Sequence, residues 1–121
     1  MRQPATVLVV EDEALIRMDI ANCLEQAGYA VLEATNADEA IGLIVEHPDI
    51  RLLFTDIDMP GSMDGLKLAA AVRDRWPPIQ IIMASGHREP RASELPSGGR
   101  FFRKPYSPTE IAQAISELLG R

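Results

Sequence analysis

Thr6-Val7-Leu8-Val9-Val10-Glu11-Asp12-Glu13 decides the fold. Its first five residues form an unbroken run rich in β-branched side chains. A run of that length reads as a strand buried on both faces, which is the habit of parallel sheets. Three acids follow at once, so they sit where that strand ends.

Working outward, the chain alternates short apolar runs with helical periodicity. Ile16, Ile20, Cys23, Leu24 and Ala27 fall at helical spacing over about residues 14–26, and Gly28 is placed to end that helix. A shorter strand is expected around Ala30 to Glu33. Asn36, with Glu39 three residues on, reads as a capping box for a second helix ending near His47. Ile50 to Thr55 reads as a third strand that delivers Asp56. A third helix is expected from about Gly65 to Trp76, with Leu66, Ala69, Val72 and Trp76 on one face and Trp76 anchoring its end; Pro77-Pro78 stops it. Asp64, just before it, reads as a cap or turn residue. Ile79 to Ala84 and Arg100 to Arg103 read as the last two strands. Ser107-Pro108-Thr109-Glu110 opens a final helix through a serine cap, proline at the first position and a reciprocating glutamate. Its buried face should be Ile111, Ile115, Leu118 and Leu119.

Strands that alternate with helices imply right-handed crossovers and a parallel sheet with helices on both faces. Between Glu89 and Gly99 the chain carries Pro90, Pro96, Ser97, Gly98 and Gly99, so any helix there must be short or absent. The 121 residues suit one domain, expected to span 1–121, and at 46 % apolar they can bury a core. The net charge of −6 argues against nucleic-acid binding through a basic stripe. A lone Cys23, expected in the core, permits no internal disulfide and fits a reducing, cytoplasmic setting. The start has no basic region followed by an apolar run, so no signal peptide is expected. No apolar stretch approaches the roughly 20 residues that span a bilayer.

Ligands of open α/β sheets bind beyond the carboxyl ends of the strands. Glu11-Asp12-Glu13, Asp56-Ile57-Asp58, Ser85-Gly86 and Lys104-Pro105 all fall there. Crowded carboxylates repel, and a hard divalent cation relieves them; Mg²⁺ suits carboxylate, water and phosphate oxygens. An aspartate can attack phosphorus to give an acyl phosphate. An ammonium such as Lys104 and a hydroxyl such as Ser85 then suit the transferring oxygens. His47 and His87 have no cysteine or third histidine beside them, so a transition-metal site is not expected.

In this order, Val7-Leu8-Val9-Val10-Glu11-Asp12, Asp56-x-x-Met59-Pro60, Ser85 after a strand and Lys104-Pro105 resemble the receiver domains of two-component response regulators. The resemblance covers about residues 5–119. It implies a doubly wound, flavodoxin-like five-stranded sheet of order 2-1-3-4-5. It implies Asp56 as phosphoacceptor, Mg²⁺ held by Glu11, Asp12, Asp56 and the Asp58 backbone carbonyl, and Lys104 as the family's site lysine. Ser85 becomes the switch hydroxyl and Phe101 the switch aromatic. The implied partners are a histidine kinase or histidine phosphotransfer protein and a downstream protein, with no nucleic acid or membrane, and the implied role is signalling rather than turnover.

The stretch from Asp56 to Gly65 is one residue longer than the family's common spacing. The segment between Ser85 and Lys104 is shorter than usual and poor in helix formers. Asp58 and His87 occupy the two positions that tune acyl-phosphate lifetime in the family. Two other readings remain open. One is a haloacid-dehalogenase-type phosphatase using Asp56 and Asp58, although that motif belongs on a first strand. The other is a phosphorylation-independent adaptor with a vestigial site.

Overall fold

Thr6–Val10 forms β1, and every one of its residues is buried. Leu8 and Val10 enter one hydrophobic core, while Val7 and Val9 enter another. Successive strand side chains point to opposite faces, so a strand apolar from Val7 to Val10 needs cover on both. The computed structural model describes residues 4–59, 63–87 and 89–120.

After β1 come α1 (Ala14–Gln26), β2 (Ala30–Ala34), α2 (Ala37–Glu46), β3 (Ile50–Asp56), α3 (Gly65–Arg75) and β4 (Gln80–Ser85). A single 3₁₀ turn at Ala92–Glu94 leads to β5 (Arg100–Arg103) and α4 (Pro108–Leu119). The five strands lie in the order β2-β1-β3-β4-β5, and every pairing is parallel. This is the expected doubly wound, flavodoxin-like sheet. Ile44 of α2 and Leu68 and Val72 of α3 share a core with Leu8, Leu53 and Ile81. Ile20 and Leu24 of α1 and Ile111 and Ile115 of α4 pack with Val7, Leu52, Phe54 and Ile82 on the other face. The expectation of a short or absent helix between β4 and β5 holds: among the described residues, the proline- and glycine-bearing crossover forms one 3₁₀ turn.

Local chemistry sets the element ends. Asp64 caps α3, its carboxylate accepting from Lys67 N–H at 2.9 Å. Ser107 caps α4, with Pro108 opening the helix and Gly120 closing it at φ 72°. Gly28 follows α1 at φ 100°, a conformation that favours glycine.

The ends of α2 at Glu46 and of α3 at Arg75, with His47 and Trp76 as their C-caps, agree with the expected ends within one residue. Trp76 anchors its helix end, packed against the core under the Arg75 guanidinium, 4.5 Å from the ring centre. The structure corrects several other details. β2 extends to Ala34, and β4 is shifted by one to Gln80–Ser85, which makes Ser85 the last residue of its strand. Asn36 does cap α2, but the Glu39 carboxylate reaches back to Thr35 N–H and Oγ1, both at 2.6 Å. Cys23 is half-buried rather than core, as are Leu118 and Leu119. Ala27 is exposed. Part of the lengthened turn after Met59, namely Pro60, Gly61 and Ser62, lies outside the described residues.

Candidate functional site

Backbone hydrogen bonds continue past the strand ends and fix the loops that follow. Glu11 N–H donates to Ala34 C=O at 3.0 Å, Ile57 N–H to Ala84 C=O at 2.9 Å, and Lys104 N–H to Ser85 C=O at 3.0 Å. The loops after β1, β3 and β5 are thereby tied to the ends of β2 and β4 along one sheet edge. The carboxylates of Glu11, Asp12 and Asp56 meet there, one oxygen from each lying within 4.8 Å of the others. Glu11 and Asp56 are buried, Asp56 only 3 % exposed, while Asp12 faces solvent.

Lys104 reaches into this cluster from the end of β5. Its Nζ lies 3.2 Å from Glu11 Oε1 and 3.4 Å from Asp56 Oδ1. Partial burial works against its charge, but the carboxylates of Asp56 and Glu11 outweigh that and hold the ammonium above the usual lysine range. The Lys104–Pro105 peptide is cis. Burial pushes Asp56 up, with the Asp58 charge adding to it, while Lys104 and the Asp58 N–H pull the other way. Burial also raises Glu11, to about 7; the Glu13 N–H opposes this, and Asp12 and Asp56 add to it. Three acids with one ammonium form a donor set short of positive charge and made of hard oxygens. That set fits Mg²⁺.

Glu11 makes a pH prediction. Its folded value of about 7 exceeds its ordinary 4.5. The folded chain therefore binds more protons than the unfolded one between those values, and stability falls as pH rises through that window. In chelator, the unfolding free energy should drop by on the order of 2–3 kcal/mol between pH 4.5 and 7.5. Glu11→Gln should flatten most of that slope in a denaturant titration at several pH values. Saturating Mg²⁺ should oppose the drop, because it binds the ionised carboxylates.

The remaining expected residues are linked less directly. Asp58 is half-buried and donates its N–H to Asp56 Oδ1 at 3.3 Å. Its carboxylate accepts from Ser85 Oγ at 2.5 Å. Ser85 thus joins the site through Asp58. Phe101 packs half-buried against the core shared with α2 and α3, and it makes no described contact with the acid cluster.

Sequence reasoning missed two contributors. Arg17 Nη1 donates to Glu11 C=O at 2.9 Å, and its Nε pairs with Glu33 at 3.1 Å. It therefore clamps the acid loop to α1 and β2. The signal was there: a cation near a helix N-terminus opposes the helix dipole and calls for a specific partner. Tyr106 is the second. Its hydroxyl is buried without a hydrogen-bond partner among the described residues, and its ring meets Phe54 edge-on at 5.8 Å. Burial raises this phenol, with Glu11, Asp56 and Asp19 adding to the effect.

Residues 7–116 match the family model of the response regulator receiver domain. The chain belongs to that family. This receiver is 38 % identical to the phosphate regulon transcriptional regulatory protein PhoB of Pseudomonas aeruginosa, over 96 % of this chain and 52 % of that protein. It is 36 % identical to the sensor kinase CckA of Brucella abortus, over 97 % of this chain and 13 % of that protein. Among solved structures, the receiver domain of the hybrid histidine kinase CckA superposes with a TM-score of 0.81 at 31 % identity, covering 94 % of this chain and 98 % of that one. The receiver thus spans about half or less of the curated relatives it matches here. Receiver domains are signalling modules of two-component systems, not turnover enzymes. The Asp56-Ile57-Asp58 motif closes β3, not a first strand as a haloacid-dehalogenase-type phosphatase requires. Among the described residues, no helix is long and apolar enough to cross a membrane.

Proposed function

We propose that residues 1–121 act as one phosphoacceptor module, with Asp56 taking a phosphoryl group from a phosphohistidine. The observation that carries this reading is the Asp56 carboxylate: it is buried at a strand end, 3.4 Å from an ammonium and grouped with two further acids. The Asp56 oxygen forms the new bond to phosphorus. The histidine nitrogen leaves with the electron pair of the broken P–N bond. Lys104 Nζ stabilises charge on the transferring oxygens. Mg²⁺, held by Glu11, Asp12, Asp56 and the Asp58 carbonyl, would supply further charge neutralisation to those oxygens. Ser85 then donates to a phosphoryl oxygen, and Phe101 repacks with the surface around β5. This is a population shift between two arrangements, read by a downstream protein partner.

The donor is a histidine kinase or a histidine phosphotransfer protein, in the cytoplasm. To reach Asp56 it must cover the protein surface bordering the acid cluster. α1 begins two residues after Asp12 and presents Leu15 and Met18, 83 % and 52 % exposed. Exposed apolar residues on a helix beside the site suit an apolar seam on a helical donor.

Intact mass after incubation with Mg²⁺ and acetyl phosphate tests the reading. One phosphoryl group per chain should appear, located on Asp56, and chelator should prevent it. No adduct, or an adduct on another residue, overturns the reading. Sustained turnover of a phosphate monoester without an adduct would point instead to a phosphatase.

A further inference from the structure

Ser85 has one hydroxyl proton to give, and the structure shows where it goes. Ser85 Oγ lies 2.5 Å from Asp58 Oδ2, the length of a hydrogen bond to a charged acceptor. His87 N–H donates to the same Oγ at 3.1 Å, which leaves the hydroxyl oriented between the two loops. Asp58 is also tied to the acceptor, since its N–H donates to Asp56 Oδ1 at 3.3 Å. One residue therefore touches both the group to be phosphorylated and the hydroxyl expected to respond.

We propose that Asp58 is a positioning residue: in the unphosphorylated chain its carboxylate holds the Ser85 hydroxyl proton, and phosphorylation works by exchanging that acceptor for a phosphoryl oxygen. The proposal rests on the reading of Asp56 as phosphoacceptor. A hydroxyl has a single donor, so it cannot serve Asp58 and the phosphoryl group together. The phosphoryl group carries about two negative charges at neutral pH. It therefore repels the Asp58 carboxylate as it attracts the Ser85 proton. Breaking the Asp58–Ser85 bond subtracts from the free energy that phosphorylation can spend on the switch. The bond thus sets a threshold, and the resting arrangement is held by a specific bond, not merely by the lack of a ligand.

A double-mutant cycle with beryllofluoride and Mg²⁺ as the phosphoryl mimic isolates this bond. Asp58→Ala removes both a charge and the acceptor; in a Ser85→Ala background it removes the charge alone. Asp58→Ala should tighten beryllofluoride binding about tenfold more in the presence of Ser85 than in its absence. The His87 amide resonance reports directly on Ser85 Oγ. In free Asp58→Ala protein it should move toward its position in the wild-type beryllofluoride complex. The same cycle with Asp58→Asn, which keeps an uncharged acceptor of the same shape, should give a smaller coupling of the same sign. An effect of Asp58 that is equal with and without Ser85 overturns the proposal, as does an unmoved His87 amide. If wild-type protein binds no beryllofluoride, the reading of Asp56 fails instead; binding without coupling removes only the role of Asp58.

Discussion

Asp56→Asn should remain folded, carry no phosphoryl group from any donor, and unfold at a higher denaturant concentration than the wild type in the absence of metal. The loss of labelling should be complete, because an amide is no nucleophile toward phosphorus at neutral pH. The gain in stability has a separate cause. Asp56 is raised by burial, so its ionised form costs the fold free energy at neutral pH. Above its ordinary carboxylate range the raised group opposes folding, so removing its charge should shift the urea midpoint upward at neutral pH. An asparagine keeps an oxygen for the Asp58 N–H and sets a donor among the neighbouring carboxylates. It also removes one of the charges that raise Glu11. Urea titration in chelator, read beside acetyl phosphate labelling, checks both halves. Residual label on Asp56→Asn would place the acceptor elsewhere. A midpoint below that of the wild type would show the Asp56–Lys104 pair to outweigh burial.

Gly65→Ala should be the most damaging single methyl group in the described chain. A Cβ built at Gly65 collides with the carbonyl oxygen of Asp56. It also lies 2.7 Å from Ile57 Cα and 2.8 Å from Asp56 C. All three obstacles are backbone, so no side chain can swing aside. Gly65 N–H meanwhile donates to Ile57 C=O at 3.0 Å, and the Asp64 cap fixes the first turn of α3. The first turn of α3 therefore rests directly on the strand end that delivers Asp56. Relief requires α3 to move away from β3, which opens the core around Leu66, Leu68 and Ala69. Overpacking at a rigid contact costs about 1–3 kcal/mol and occasionally more, and this site belongs at the upper end. The thermal midpoint should fall by about 10 °C or more. Labelling should also fall well below the wild-type rate at temperatures where the variant is still folded, because the displaced segment is the one that aims Asp56. A midpoint within about 2 °C of the wild type would show that α3 is free to shift.

The architecture was legible because its signals are local. β1 announced itself through an unbroken apolar run, and Gly28, Pro77-Pro78 and Ser107-Pro108 marked element ends by backbone chemistry alone. The placement of Glu11, Asp56, Ser85 and Lys104 along one edge followed from the sheet, since each sits where a strand stops. The pairings among them were not legible. Ser85 and Asp58 are 27 residues apart, and their bond depends on side-chain geometry between two loops. Arg17 was hidden for the same reason: its partners are a backbone carbonyl at the end of β1 and Glu33 on β2. Cys23 sat on the apolar stripe but lies where that stripe turns toward solvent, so periodicity overstated its burial. Glu39 chose Thr35 over Asn36 because its carboxylate finds both an N–H and a hydroxyl there.

The crossover from β4 to β5 has a consequence for how the molecule opens. β5 is four residues long, lies at the sheet edge, and is only partly covered, its preceding crossover supplying one exposed 3₁₀ turn. β1 and β3, by contrast, are flanked by strands on both sides and covered on both faces. Local opening free energies should therefore descend across the sheet, from a slowly exchanging centre to a rim that detaches as its own cooperative unit. Lys104 directly follows that rim. The ammonium that balances the buried acids is thus carried by the least protected strand end, so a partner that seals β5 would also quiet the charge at the centre of the site.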